Sequence, residues 1–130
     1  MKKRILHQLS RRERQIMDAL YQLGEGSVSD VQRALADPPS YSSVRALLGV
    51  LENKGYVRHR KVGRAYMYLP TISRDKARDS ALKHMVQTFF DGSVEHVVAA
   101  LISQSGGRLS DEDFERLEKL IRQKRKEEGD

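Results

Sequence analysis

A mostly α-helical chain with one small β-hairpin is the fold class this sequence predicts, and three observations predict it. Helix-start patterns of the Ser-x-x-Glu kind precede apolar stripes with helical spacing. Two β-prone runs flank Gly63-Arg64. From Ser73 onward the periodicity is helical only.

The elements follow in order. Ser10-Arg11-Arg12-Glu13 reads as a capping box, and Ile16, Ala19, Leu20 and Leu23 then form one apolar face that Gly24-Glu25-Gly26 ends. Ser29-Asp30-Val31-Gln32 reads as a second box, opening a short helix with Val31, Ala34 and Leu35 inward, broken by Asp37-Pro38-Pro39-Ser40. A third helix is expected from about Ser42 to Lys54, because Val44, Leu47, Leu48 and Leu51 fall at i, i+3, i+4 and i+7. Lys54 suits the negative helix end, and Gly55 supplies a left-handed stop. Tyr56–Val62 and Ala65–Leu69 then form the hairpin, closed by Pro70. Three helices followed by a hairpin describe a winged helix-turn-helix, placed at residues 1–72.

Residues 73–130 read as a separate helical region suited to dimerisation. Ala77, Ala81, Leu82, Met85, Val86, Phe89 and Phe90 spread over too wide an arc for a surface helix, which Asp91-Gly92 ends. Val94, Val97, Val98, Leu101 and Ile102 form a shorter apolar helix ended by Gly106-Gly107. Ser110 caps a last helix, acidic at its start and basic at its end, with Phe114, Leu117, Leu120 and Ile121 inward. Three such helices in so few residues bury little apolar surface alone, so a two-fold homodimer is expected.

Charge separates the same two parts. Of the net +6, residues 1–72 hold 13 Lys and Arg against 6 Asp and Glu, whereas residues 73–130 hold 11 against 12. A basic first half suits nucleic acid. The absence of cysteine excludes disulfides and thiolate metal sites. Histidines 7, 59, 84 and 96 are scattered without partners at ligand spacing, so no metal and no cofactor is expected. No nucleophile–base arrangement or phosphate-cradling loop points to an enzyme. No apolar run approaches the roughly 20 residues of a membrane span, and MKKRIL leads into polar residues, so a cytoplasmic location is expected.

If the third helix enters a major groove, Ser42, Ser43 and Arg45 near its start are candidates to reach base edges. Ala46 and Gly49 are small enough for a close approach. Tyr41, Arg11 and Arg12 are phosphate candidates, and Arg60, Lys61 and Arg64 bring hairpin charges to phosphates or the minor groove. Each has a plainer reading: capping for the serines, a solvated face for Arg45, hairpin packing for Tyr66 and Tyr68. The tail RQKRKEE reads as a solvated helix end. A protein–protein adaptor that never touches DNA is the alternative function, and weak, salt-insensitive duplex binding distinguishes it.

The stretch YSSVRALLGVLENKGYVRHRKVGRAYMY, with LSRRERQIMDALYQLGEGSVSDV before it and FFDGSVEHVVAALISQSGGRLSDEDFERLEKLI after, resembles the penicillinase-repressor family (BlaI/MecI/CopY type) over about residues 9–122. The resemblance implies a homodimeric repressor whose winged helices bind an inverted-repeat operator of double-stranded DNA. It also implies carboxy-terminal helices that interlock two subunits, and in several members release by cleavage under a membrane metallopeptidase sensor. Serines here replace the family's usual threonines after the tyrosine, and Val50 stands where an arginine is common. The copper branch's cysteine cluster has no counterpart. The place of the β-lactam branch's cleaved Asn-Phe bond is taken by Ala100-Leu101.

Overall fold

The computed structural model describes residues 9–129; MKKRIL and His7 lie outside them. The order is α1 (Arg11–Leu23), α2 (Val28–Ala34), α3 (Tyr41–Asn53), β1 (Val57–Val62), β2 (Ala65–Pro70), α4 (Arg74–Phe90), α5 (Val94–Gln104) and α6 (Asp111–Gly129). Three helices and a two-stranded antiparallel hairpin make a winged helix. The chain forms two units, one through His84 and one from Met85, with the division inside α4.

The capping box at α1 forms as the sequence predicts. Ser10 Oγ accepts from the Glu13 amide at 3.2 Å, and Glu13 Oε1 accepts from the Ser10 amide at 2.9 Å. Ile16, Met17, Ala19 and Leu20 enter the core, but Leu23, expected there too, is exposed. It belongs to the last turn, where its side chain lies beside Gly26 in the α1–α2 connection. The second box is shifted from the expected place. Ser27 is the cap of α2, accepting from the Asp30 amide at 3.1 Å, while Asp30 Oδ2 accepts from the Ser27 amide at 3.0 Å. A carboxylate makes a stronger cap partner than the expected Gln32 amide. The shift also brings Val28, Val31 and Leu35 onto one stripe and turns Ala34 out to solvent.

Helix α3 carries the stripe that organises the unit. Val44, Leu48 and Leu51 are fully excluded from solvent, each contributing about 1.5–3 kcal/mol relative to exposure. Ser40, two residues before the expected start, is the cap: its Oγ accepts from the Ser43 amide. At the other end the Tyr56 amide donates to Leu51 O at 2.9 Å and the Gly55 amide to Glu52 O at 3.0 Å, with Gly55 at φ +87°. This is a Schellman stop, and its apolar clasp is the buried pair Leu51 and Tyr56.

The hairpin pairs Val57 with Pro70 through Val62 with Ala65. Gly63 has φ +63° and Arg64 does not share the positive sign, the pattern of a II′ turn. A third strand position comes from the α1–α2 connection: Gly26 and Tyr68 exchange backbone hydrogen bonds of 2.9 and 2.8 Å. Thr71 Oγ1 donates to Gly55 O at 2.7 Å and Tyr21 Oη donates to Ile72 O at 3.0 Å, fastening the end of the hairpin to α3 and α1.

In the second unit, Ser93 caps α5, and Ser110 with Asp113 forms a reciprocal box at α6. Only Val97 is buried among its described residues. No residue of α6 is buried, so Phe114, Leu117, Leu120 and Ile121, expected inward, stand open on the single chain.

One charged group joins the start of α1 to the end of α3. Glu13, 5% exposed, also accepts from Lys54 Nζ at 2.7 Å, and these hydrogen bonds hold its carboxyl below the ordinary glutamate range. A lowered carboxyl contributes stability that is complete above the ordinary glutamate range and lost as pH falls through the lowered value. Lys54 is half exposed, so the loss on Glu13→Gln is set at about 1–2 kcal/mol. Urea denaturation of both proteins across the acid range checks this. The gap should close on acidification, and a gap independent of pH rules the ion pair out as its source.

Candidate nucleic-acid interface

With Val44, Leu48 and Leu51 turned inward, helical geometry decides where the rest of α3 points. Ser42, Ser43, Arg45 and Ala46 are exposed, and Gly49 is half-buried. Ser42, Arg45, Ala46 and Gly49 stand at i, i+3, i+4 and i+7, a second stripe opposite the first. A Cβ added at Gly49 meets nothing within 4 Å. The fold therefore does not require glycine here, although glycine inside a helix costs roughly 0.5–1 kcal/mol relative to alanine. The expected capping role passes to Ser40, whose Oγ also contacts the hydroxyls of Ser42 and Ser43 at 3.2 and 2.9 Å.

Strand alternation sorts the hairpin's charges between two faces. His59 and Lys61 share a face with Tyr66 and Tyr68, as the register requires, and Arg58 and Arg60 lie on the other. Arg60 grips Glu25 through Nη2 at 2.6 Å and Nε at 3.2 Å, tying the hairpin to the α1–α2 connection and holding the Glu25 carboxyl below its ordinary range. Arg12 is likewise engaged, donating to Gln15 Oε1 at 3.0 Å and Asp37 O at 3.2 Å. Arg11 beside it is exposed.

Three of the other cations converge. An open cleft of about 470 Å³ between the start of α3 and the hairpin is lined by Arg45, Lys61 and Arg64, by the phenols of Tyr41, Tyr66 and Tyr68, and by Ser27 and Ser29. None of the three cations pairs with a carboxylate among the described residues. Burial pushes the Tyr68 phenol above its ordinary value, with the Glu52 carboxylate adding to the push and the Arg45 guanidinium opposing it. The phenol is thus a hydrogen-bond donor across the neutral range. Cations without counter-charges beside hydroxyl donors make a surface complementary to phosphate oxygens and base edges.

Sequence reasoning reaches Arg45, Lys61, Arg64 and Tyr41 but misses Ser27 and Ser29, which enter the cleft only because α2 begins at Val28. It also misses the acid partner of His59, whose Nδ1 lies 2.6 Å from Glu52 Oε2. The seven-residue separation is closed by the chain reversal at Gly55. Among the described residues no group of three or more His, Cys, Asp or Glu side chains is placed to hold a metal, and no helix is long and apolar enough to cross a membrane.

The second unit offers a different surface. Met85, Phe89, Phe90, Val97, Ala100 and Leu101 line an apolar groove of about 380 Å³. Phe89 is 75% exposed, Val94 68% and Leu101 61%, and Val98 is also exposed, while Met85, Val86 and Phe90 are half-buried. Leu82, on the first unit's part of α4, is exposed as well. The Ala100–Leu101 bond lies inside α5.

Among known proteins, the uncharacterized 16.5 kDa protein in the ptsI 3′ region of Latilactobacillus sakei is 25% identical over 117 residues, 88% of this chain and 79% of that protein. The complex structures of hsRosR-S1 and hsRosR-S4 match at TM-scores of 0.57 and 0.58, with 18% and 17% identity. Each covers 81% of this chain, and this chain covers 98% and 96% of theirs, a likeness of fold. The pattern of the penicillinase repressor family matches residues 9–123, which spans both the cleft-bearing unit and the apolar helices. The chain belongs to that family and is a DNA-binding regulator.

Proposed function

We propose that the chain is a sequence-specific transcriptional repressor that occupies a palindromic operator as a homodimer. The observation that carries this reading is the cleft where Arg45, Lys61 and Arg64 meet without a carboxylate to neutralise them. Helix α3 enters the major groove with its amino-terminal turn leading. There Ser42, Ser43 and Arg45 face base edges, and Arg45 presents the fork that suits guanine. Ala46 and Gly49 let the helix lie close, a use for glycine that the interior of the fold does not supply. Tyr41, Lys61 and Arg64 grip phosphates beside the groove, with Arg11 at the far end of the surface. Arg60 and Arg12 hold the reading surface in shape through Glu25 and Asp37.

A second copy covers the apolar groove. Phe89, Val94, Val98, Leu101, Leu117 and Ile121 are all exposed on the single chain, and large apolar side chains left open in such number mark an interaction surface. A two-fold axis buries the same face on both copies and presents two α3 helices to two half-sites. Joining two weak half-site contacts multiplies occupancy. Release by a metallopeptidase cutting Ala100–Leu101 first requires α5 to open, because the bond lies within the helix. The cut then divides a helix that lines the groove.

Arg45→Ala should weaken binding to a cognate duplex by about 1–3 kcal/mol and relax sequence preference at one position. A competition shift assay against single-base variants of the site measures this, and undiminished discrimination rejects base contact by Arg45. Arg64→Ala should lower affinity for every duplex alike and reduce the slope of log affinity against log salt by about 1. A slope equal to the parent's removes Arg64 from the phosphate contacts. Phe89→Asp and Leu101→Asp should each give monomers in sedimentation, since an unpaired charge would be buried in the interface. If both variants remain dimers, the groove is not where the copies meet.

A further inference from the structure

We infer that Glu52 is a positioning residue for DNA recognition: acting through His59, it sets the spacing between α3 and the hairpin and so the width of the basic cleft. The inference rests on the DNA-binding reading above and assigns a role to two residues outside the contact set. Tyr41, Arg45 and Glu52 lie at i, i+4 and i+11, on the flank of α3 that faces the hairpin. From there the Glu52 carboxylate takes hold of one residue of β1 twice. Its Oε2 accepts from the His59 amide at 3.1 Å, and the two oxygens lie 2.6 and 2.8 Å from His59 Nδ1.

The amide contact fills a place the sheet leaves open. Tyr68, opposite His59 in the register, directs both its backbone N–H and its C=O to Gly26. His59 therefore finds no strand partner on that side, and β1 would present a bare donor at its outer edge. Glu52 supplies the acceptor. The imidazole so held stacks on Tyr66 with ring centroids 4.3 Å apart and planes at 27°, and lies 5.7 Å from the Tyr68 ring. Tyr66 pairs with Lys61 across the strands and lines the cleft with it. A continuous set of contacts thus runs from the end of α3 through His59 and Tyr66 to the cations on the hairpin.

Electrostatics sharpens the inference. A carboxylate beside a phosphate-binding cleft repels the ligand, so its charge alone opposes binding, and removing that charge should tighten it. Glu52→Ala and Glu52→Gln remove the same charge, but glutamine keeps an oxygen to accept from the His59 amide and imidazole. A purely electrostatic residue makes the two variants alike, whereas a positioning residue separates them.

The experiment uses the full chain and duplexes enriched by the parent protein from random-sequence DNA, with a scrambled duplex as control. Glu52→Ala should lose about tenfold in affinity for the enriched duplex and hold or gain on the scrambled one, while Glu52→Gln stays within about threefold of the parent. His59→Ala should fall about as far as Glu52→Ala, and the double variant no further, because the two residues act as one link. In proton NMR the His59 ring resonances, displaced by the stacked Tyr66 ring, should move toward free-histidine positions in Glu52→Ala and stay in Glu52→Gln. Equal affinities for Glu52→Ala and Glu52→Gln, or additive losses in the double variant, overturn this inference alone. If the parent protein enriches no sequence, the failure belongs to the DNA-binding reading instead. Should Glu52→Ala not fold, the His59→Ala variant and the Glu52→Gln resonances decide the question.

Discussion

Val44, Leu48 and Leu51 are completely excluded from water, and the direction of every α3 side chain that faces DNA in the proposed complex follows from that burial. A helix of this length has one rotational setting that hides all three. That setting leaves Ser42, Arg45, Ala46 and Gly49 on the far side and turns Tyr41 and Glu52 toward the hairpin. Rotating α3 to bury Arg45 would expose two leucines and desolvate a guanidinium, together costing several kcal/mol. The reading face therefore needs no separate device to hold it outward. Hydrophobic burial fixes orientation, and polar contacts then fix distance.

Distance is set at the ends of the elements. The Schellman stop at Gly55 reverses the chain so sharply that β1 starts beside the helix it has just left. Without it, Glu52 could not reach His59, and Tyr56 would not fold back over Leu51. Backbone bonds between Gly26 and Tyr68 then secure β2 from the other side, and the Arg60–Glu25 pair secures the outer face of β1. Each exposed pair is worth little on its own. Their joint effect is geometric: a two-stranded hairpin, marginal in isolation, is tied to the helices at several points along its length. The face held by Glu52 through His59 carries Lys61 and Tyr66, which border the cleft.

Features that depend on local chemistry were legible in the sequence. The Ser10–Glu13 box, the α3 stripe, the Gly55 stop and the Gly63-Arg64 turn each follow from residues within one or two turns of each other. Where two local solutions compete, tertiary packing makes the choice. Ser27 and Ser29 both head plausible caps for α2, and the choice fell to Ser27 because only that start aligns Val28, Val31 and Leu35 against the core. For the candidate site, residue type and helical position identified the cations. They did not reveal which ones already had partners, since Arg60 meets Glu25 and Arg12 meets Asp37 across 35 and 25 residues of chain. Alternation along β1 does separate Arg60 from Lys61, a signal present in the sequence once the hairpin register is known.

The second unit poses the reverse problem, because its local signals are strong and its tertiary burial slight. Caps at Ser93 and Ser110 specify where α5 and α6 begin, and acidic first-turn residues suit the helix dipole. Yet α6 buries nothing, and the apolar residues of α4 spread around its circumference and do not form one stripe. Helices of this kind are held chiefly by packing, since propensity and caps supply only a few kcal/mol. A single chain leaves Phe89 and Leu101 at the mouth of a groove already formed by Phe90, Val97 and Ala100. In the proposed dimer the groove of one copy receives the apolar side chains beside the groove of the other, as a two-fold interface requires. On that reading the same surface that lacks cover in one chain supplies it in two. The near balance of charge in residues 73–130 fits as well, because two copies of a strongly basic region would repel where they meet.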